Sequence, residues 1–219
     1  MIFLFRVTQK SENLPMQPKA FVTSEKKMKR NASFLLSFIF LTTGSYAQTL
    51  NKVADLLFKN VKTKLSVAEK NQVATALGFV LSNDNVQPFA QDPDSKAYPF
   101  AAIVFPTDMN KDGKEEIFVH FGNTYTSGNT ETSISLFIKN TSGVYKNHLG
   151  FPGMLPDALS TVSQGYPDLL IGGPGFEFPV LRWNGKTYAH HHMVKDDAYE
   201  KLKKKGIDVL SKEYQLTIN

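Results

Sequence analysis

Apolar residues recur at helical spacing in the first part of the chain that follows residue 48. Most of them lie three or four positions apart: Leu50, Val53, Leu56, Leu57 and Val61. This spacing predicts a helical segment over residues 49–80. Ser66 and Glu69 form a capping box, so the sequence predicts that a second helix begins there and ends toward Gly78.

The pattern changes to β-type from Tyr98 onward, where short apolar runs are separated by turns rich in Gly, Pro, Asn and Ser. Residues 103–145 and residues 158–188 can each be divided into four strands. This division predicts two antiparallel four-stranded meanders, each about the size of a propeller blade.

Aligning these two stretches pairs particular residues. Glu116 and Asp168 fall just before the second strand, and Phe137 and Trp183 fall on the third. Because a meander buries an apolar face, the two units are expected to pack together or to continue as one sheet, which would bury Trp183. Hairpins of this length also occur in β-proteins without repeats, so the sequence leaves that alternative open.

Together, these patterns predict an α+β fold, with a helical segment over residues 48–93 and a β-rich module over residues 94–219. The order is N-terminal helices, an antiparallel β-meander region of two blade-like four-stranded units, and a short C-terminal helix. That helix is expected at residues 197–202. Residues 207–215 are expected to form a last strand or an irregular return.

The N-terminal region has the pattern of a secretory signal peptide. A basic stretch precedes an apolar run at residues 34–41, and small residues end at Ala47. We therefore expect a signal peptide over residues 28–47, cleaved before Gln48, and a secreted or periplasmic protein; a retained anchor is the alternative. Residues 1–27 are interpreted as an over-extended start. The mature chain has no segment long and apolar enough to be transmembrane.

Removal of the first 47 residues would change the charge balance. The sequence has 25 Lys and Arg and 20 Asp and Glu, of which residues 1–47 hold seven and two. The mature chain then has 25 − 7 = 18 basic and 20 − 2 = 18 acidic residues, a net charge of zero. A neutral chain gives no support to a nucleic-acid partner. The absence of cysteine excludes disulfides and cysteine–zinc sites.

Residues 108–116 carry oxygen ligands at the spacing of a calcium loop. Side-chain ligands are expected at loop positions 1, 3, 5 and 9: Asp108, Asn110, Asp112 and Glu116. The backbone carbonyl of Lys114 would fill position 7, and Gly113 permits the sharp turn. Hard oxygen ligands without nitrogen or sulfur favour Ca²⁺ over zinc. The same residues are ordinary turn formers, so a solvated loop without an ion is the alternative.

The surroundings of the loop indicate a family. An EF-hand would have Glu at position 12 and flanking helices, whereas Val119 holds that position here and residues 117–121 are strand-like. The pattern D-x-N-x-D-G-x-x-E before an apolar strand resembles the calcium loops of the FG-GAP (integrin-type) repeat family. In the second stretch only Asp168 keeps a metal position. The resemblance covers residues 98–192 and implies a β-module that an ion holds rigid while neighbouring surfaces bind a partner.

The histidines support a different hypothesis. On a regular strand, His190 and His192 would share one face and His191 would point to the other. Two such imidazoles can chelate zinc or copper, with a third ligand from His120 or His148. That arrangement would make the protein an exported metal-dependent hydrolase. Exposed strand histidines that bind no metal are the alternative.

No catalytic residue is assigned, because the sequence contains no nucleophile elbow and no evident Ser-His-Asp order. Four aromatic residues are expected in a sheet core more than on a sugar-binding platform: Phe176, Phe178, Trp183 and Tyr188. We therefore expect an exported, non-enzymatic binding protein with a structural Ca²⁺ site, and a protein or carbohydrate partner at the cell exterior.

Overall fold

The structure is a computed structural model that describes residues 49–218. The expected signal peptide and start region lie outside these residues, so both stay predictions. Within residues 49–218, no helix has the length and apolar character needed to cross a membrane. The described part combines helices with mostly antiparallel strands, which confirms the mixed α and β class.

Two helices and a small hairpin form the N-terminal part: α1 (Lys52–Leu57), α2 (Val67–Leu77), β1 (Val80–Leu81) and β2 (Phe89–Ala90). The expected capping box opens α2, because the Ser66 hydroxyl accepts from the Glu69 N–H and the Glu69 carboxylate accepts from the Ser66 N–H. Gly78 ends α2 with a left-handed φ of 72°. The expected helical segment is therefore interrupted between α1 and α2.

The first sheet is antiparallel with the order β3-β4-β5-β6. Its strands are β3 (Ala102–Thr107), β4 (Glu116–Phe121), β5 (Ser133–Lys139) and β6 (Tyr145–Pro152). A one-turn helix, α3 (Thr124–Ser127), lies between β4 and β5. Ile117, Phe118 and Val119 are consecutive and all buried, so both faces of β4 are covered.

The second sheet has the order β10-β9-β8-β7-β11. Its strands are β7 (Asp157–Ser163), β8 (Tyr166–Leu170), β9 (Glu177–Trp183), β10 (Tyr188–Lys195) and β11 (Lys204–Gly206). Gln164 and Gly165, with φ of 48° and 87°, form the two-residue turn between β7 and β8. Because this turn is tight, Asp168 is the third residue of β8 and does not precede the strand as expected.

Two helices lie near the C-terminus, α4 (Asp196–Tyr199) and α5 (Ile207–Leu216). Helix α4 is the expected short helix, and it ends earlier than residue 202. The expectation of a strand or irregular return over residues 207–215 is wrong, because these residues form α5. Ile207 and Leu210 are one turn apart on α5 and pack into the apolar core, and this packing favours the helix.

Three apolar clusters define the stacking of the layers. The helical-side core joins α1 and α2 to the first sheet through residues such as Leu57, Val73, Ile117 and Phe137. The inter-sheet core joins the two sheets through residues such as Phe118, Ile134, Leu169 and Trp183. The outer core joins the second sheet to α4 and the residues after it through Leu170, Val180, Tyr199 and Leu202. Helical segments therefore cover both ends of a stack of two sheets.

Each of the two meanders contains a tyrosine hydrogen bond at an equivalent place. Tyr145 begins β6, and its hydroxyl donates to the Glu115 carbonyl at 2.9 Å. Tyr188 begins β10, and its hydroxyl donates to the Pro167 carbonyl at 2.9 Å. Each tyrosine opens the fourth strand of its meander, and each carbonyl precedes the acidic residue that the sequence alignment paired.

The strand register shows that Phe137 and Trp183 do not occupy equivalent positions on the third strands of the two units. Ile117 of β4 pairs with Phe137, and Leu169 of β8 pairs with Leu181. Leu181 therefore corresponds to Phe137, because Ile117 and Leu169 each follow the acidic residue of their unit. Trp183 lies on the expected third strand, but two residues further along.

Candidate metal centre

The connection between β3 and β4 is the candidate metal centre. Thr107 and Glu116 pair at the ends of these strands, which leaves residues 108–115 as the loop. Three loop side chains accept hydrogen bonds from loop N–H groups: Asp108 from Gly113 at 3.1 Å, Asn110 from Asp112 at 3.0 Å, and Asp112 from Lys114 at 2.8 Å. These bonds fold the loop around its own oxygen-bearing side chains.

The loop needs two residues with positive φ. Lys111 has a φ of 59° and Gly113 a φ of 82°. A Cβ atom built on Gly113 would meet no atom within 4 Å. Glycine is therefore favoured there by the backbone conformation and not by a lack of space.

Glu116, the first residue of β4, carries the most deeply buried carboxyl of residues 108–116, with 1% of its surface exposed. Its Oε2 accepts from the Met109 N–H at 2.7 Å, and its carboxyl lies near the Tyr166 hydroxyl of the second sheet. Burial raises the pKa of Glu116 to about 8 against the lowering effect of the Met109 bond, and the charges of Asp108 and Asp112 add to the rise. The charged form of Glu116 therefore lacks sufficient compensation from its protein neighbours.

Asp108 provides a second buried oxygen. Its Oδ2 accepts the Gly113 bond, whereas its Oδ1 is buried and has no hydrogen-bond partner among the described residues. A buried acceptor without a partner is costly and usually indicates a missing water, ion or ligand contact. The oxygen-only donor set of the loop fits a hard cation such as Ca²⁺.

The three expected carboxylate ligands, Asp108, Asp112 and Glu116, are not grouped around a common point. Within residues 49–218, no three His, Cys, Asp or Glu side chains are placed to share a metal ion. The other two of the five expected ligands are not carboxylates: they are the side-chain amide of Asn110 and the backbone carbonyl of Lys114.

Glu115 is a residue that the sequence interpretation missed and that fixes the loop to the helical layer. Its buried carboxylate accepts from the Thr63 hydroxyl and, at 2.7 Å, from the Lys64 N–H, both in the segment between α1 and α2. Neighbouring residues near a strand point to opposite faces, so Glu115 reaches the helical layer while Glu116 faces the second sheet. The loop thereby connects three layers of the fold.

An arginine neutralises the acidic residue of the second meander. Asp168 is fully buried and accepts from Arg182 through both oxygens, at 2.9 and 2.7 Å, and from the Thr161 hydroxyl at 2.6 Å. Burial acts to raise the pKa of Asp168, but the bonds from Arg182 and Thr161 outweigh it and lower the pKa. The guanidinium of Arg182 therefore compensates the negative charge of Asp168.

The expected placement of the histidines is wrong. His190 pairs with Leu181, which packs in the inter-sheet core, whereas His192 pairs with Val180 of the outer core. A β-bulge between them adds His191 as an extra residue, so His190 and His192 lie on opposite faces of the sheet. The bulge could not be predicted from residue spacing.

The structure therefore does not bring His190, His192 and a third histidine together as a metal-dependent hydrolase would require. The rings of His191 and His192 lie 4.8 Å apart, but the described residues contain no group of three metal-ligating side chains that includes them. His148 binds the Lys186 carbonyl through Nδ1, and neither His148 nor His120 completes such a group.

Three of the four aromatic residues belong to the core. Phe178, Trp183 and Tyr188 are buried, as expected for sheet-core residues. Phe176 is 83% exposed and stands apart from them. These residues therefore do not form a continuous platform for a sugar.

No family model matches the chain, and neither a curated protein nor a solved structure matches it.

The raised pKa of Glu116 predicts that the stability of the protein depends on pH in calcium-free buffer. Its folded pKa of about 8 exceeds the ordinary value of 4.5, so the folded state holds a proton that the unfolded state releases. The resulting stabilisation is present in full below pH 4.5 and is lost as the pH rises to 8. One pKa unit corresponds to about 1.4 kcal/mol. Between pH 5 and 8, the free energy of unfolding should therefore fall by up to about 4 kcal/mol more for the parent protein than for Glu116→Gln. Urea unfolding of both proteins in EGTA measures it, and parallel pH profiles would contradict it.

Proposed function

We propose that the chain is an exported, non-enzymatic binding protein in which a calcium ion bound by residues 108–116 stabilises two blade-like β-units. Export is supported by the N-terminal sequence pattern. The blade-like units are supported by the tyrosine bonds that Tyr145 and Tyr188 make at equivalent places. The partner is a protein or a carbohydrate outside the cell.

The observation that carries the calcium proposal is the pair of incompletely compensated buried carboxyls. Glu116 is buried beside the charges of Asp108 and Asp112, and Asp108 Oδ1 has no partner among the described residues. A divalent cation would allow all three carboxylates to ionise inside the protein. Asn110 and the Lys114 carbonyl would complete an all-oxygen set.

The position of the loop supports a structural role for the ion. Glu115 holds the segment between the N-terminal helices, and Glu116 lies near Tyr166 of the second sheet. An ion that orders the loop would therefore strengthen contacts with layers on both sides. It would also keep the carboxylates ionised and unable to act as general acids, which argues against catalysis there.

Calcium is therefore expected to raise the melting temperature of the protein. At a free concentration one hundredfold above the Kd, linkage supplies about 2.7 kcal/mol, or about 5–10 °C for a chain of this length. The measurement is a thermal melt in CaCl₂ and in EGTA. Asp112→Asn should remove most of the rise, because it keeps the bond to the Lys114 N–H but removes the charge.

Asp84→Asn is the matched control for the calcium melt. Asp84 makes the same kind of local turn through the Val86 and Gln87 N–H groups, outside the loop. This variant should keep the full rise. Equal melting temperatures in millimolar CaCl₂ and in EGTA would contradict the proposal and leave residues 108–116 as a turn.

A further inference from the structure

A groove of about 640 Å³ lies beside the loop. Its volume is within the range of about 300–1,000 Å³ that is usual for small-molecule sites. The side of the loop forms one wall, and β7 and the segment before β11 form the others. Most of its lining is apolar: Met109, Leu159, Val162, Pro167, Leu202 and Leu210.

The groove exists because β7 and β11 separate. Strand β11 pairs with β7 only from Asp157 to Leu159, and one further bond joins the Ser160 N–H to the Lys203 carbonyl. The register of β7 against β8 shifts between Ala158 and Val162. Val162 is consequently 61% exposed, at the open side of the groove. A ligand that covers Val162 would remove this apolar surface from water.

Positive charge surrounds the apolar surface. Four lysines line the groove against a single carboxylate, Asp108: Lys111, Lys203, Lys204 and Lys205. Two of them already have protein partners. Lys204 donates to the Tyr199 carbonyl, and Lys205 pairs with Glu213.

The other two lysines are free to act on a ligand. Within residues 49–218, neither Lys111 nor Lys203 forms an ion pair. Lys111 lies on the loop, and Lys203 lies on the chain segment before β11 that lines the groove. An apolar surface with unpaired ammonium groups at its rim is complementary to a molecule with an apolar chain and an anionic head.

We infer that this groove binds a small amphipathic carboxylate with one aliphatic chain. The carboxylate lies between Lys111 and Lys203, and the chain covers Leu159, Val162 and Leu210. The unpaired edge of β7 is too short for a peptide to add as a strand, which favours a small molecule. This inference adds a ligand class to the proposed binding role, on which it rests, and does not require the ion.

The test is a calorimetric titration of the purified protein with dodecanoate, in EGTA so that no calcium soap forms. We expect one dodecanoate per chain and no comparable binding of dodecyltrimethylammonium, which has the same chain and the opposite charge. Butyrate should bind much more weakly, because it buries less apolar surface. Equal binding of the cationic and anionic probes, or no dodecanoate binding, would overturn the inference.

Two variants locate the binding. Lys203→Glu reverses a free charge, and Val162→Asp places a charge on an exposed apolar position that folding should tolerate. Each should weaken dodecanoate binding at least about tenfold, the effect of 1.4 kcal/mol. Lys146→Glu and Val86→Asp are the matched controls at exposed positions outside the groove and should bind as the parent does. Unchanged binding in Lys203→Glu and Val162→Asp would overturn the inference.

The dodecanoate titration and the calcium melt test the two proposals independently. If calcium raises the melting temperature but dodecanoate does not bind, the ligand class is wrong and the calcium site stands. If dodecanoate binds in EGTA but calcium has no effect on the melt, the groove stands and the calcium site is wrong.

Discussion

Replacing Trp183 with alanine is expected to lower the free energy of unfolding by about 3–5 kcal/mol, as for other large-to-small changes in a core. Trp183 is 8% exposed in the inter-sheet core. Its ring lies 5.3 Å from His148 of the first sheet, and 4.9 and 5.5 Å from Tyr166 and Tyr188 of the second. Because the indole touches both sheets, its loss leaves a cavity that neither sheet can fill alone.

Phe176→Ala is the matched control for this substitution. Phe176 is also an aromatic residue of the β9 region, but it is 83% exposed. Its removal should change the free energy of unfolding by no more than about 0.5 kcal/mol. Guanidinium unfolding at pH 7 measures both variants. A loss of less than about 1 kcal/mol for Trp183→Ala would contradict the packing of the two sheets against each other.

Arg182→Met is expected to lower the free energy of unfolding at pH 7, because it leaves the buried carboxylate of Asp168 without its cation. The loss should be smaller than for a fully buried ion pair, since the Arg182 side chain is 37% exposed and solvent screens its charge. The lowered pKa of Asp168 means that the pair stabilises the fold above the ordinary value of 3.8 and loses this effect as the pH falls through the lower folded pKa. The difference between the two proteins should therefore shrink at acid pH.

A double variant separates the charge effect from packing. Asp168→Leu combined with Arg182→Met removes both charges and leaves apolar groups beside Leu170 and Val180 of the outer core. It should be more stable than Arg182→Met alone, as for other buried ion pairs replaced by apolar residues. Urea unfolding at pH 7 and at about pH 3 measures the parent protein and both variants. A double variant no more stable than the single one would show that Asp168 is not an uncompensated charge in Arg182→Met.

Local signals in the sequence predicted the elements whose ends depend on nearby residues. The capping box at Ser66 and the left-handed position of Gly78 placed α2 correctly, because both act within one helical turn. The mixed helix and sheet class followed from the change in apolar periodicity near Tyr98. These features need no knowledge of distant contacts.

The errors arise where distant contacts decide the structure. Helix α5 depends on the packing of Ile207 and Leu210 against core residues that lie far away in the chain. The bulge at His191 depends on the register between β9 and β10, which no local spacing reveals. The division into strands pairs Trp183 with Phe137, whereas the register of the folded strands pairs Leu181 with Phe137.

The candidate site was predictable in part. The alternation of a strand was sufficient to predict that Glu115 and Glu116 point to opposite faces. It could not show that Glu115 meets Thr63, more than 50 positions earlier in the chain, or that Tyr166 lies near Glu116. Those contacts come from the stacking of layers, and they are what place the loop at the centre of the fold.

A calcium titration by calorimetry at pH 7, in two buffers of different ionisation enthalpy, is the decisive test of the proposed ion site. We predict one calcium ion per chain and the release of close to one proton, because Glu116 has a pKa of about 8 without the ion and must ionise to bind it. Glu116→Gln should abolish the proton release. Absence of binding at millimolar calcium, or binding that persists unchanged when Asp108 and Asp112 are both replaced by alanine, would contradict a calcium site in residues 108–116.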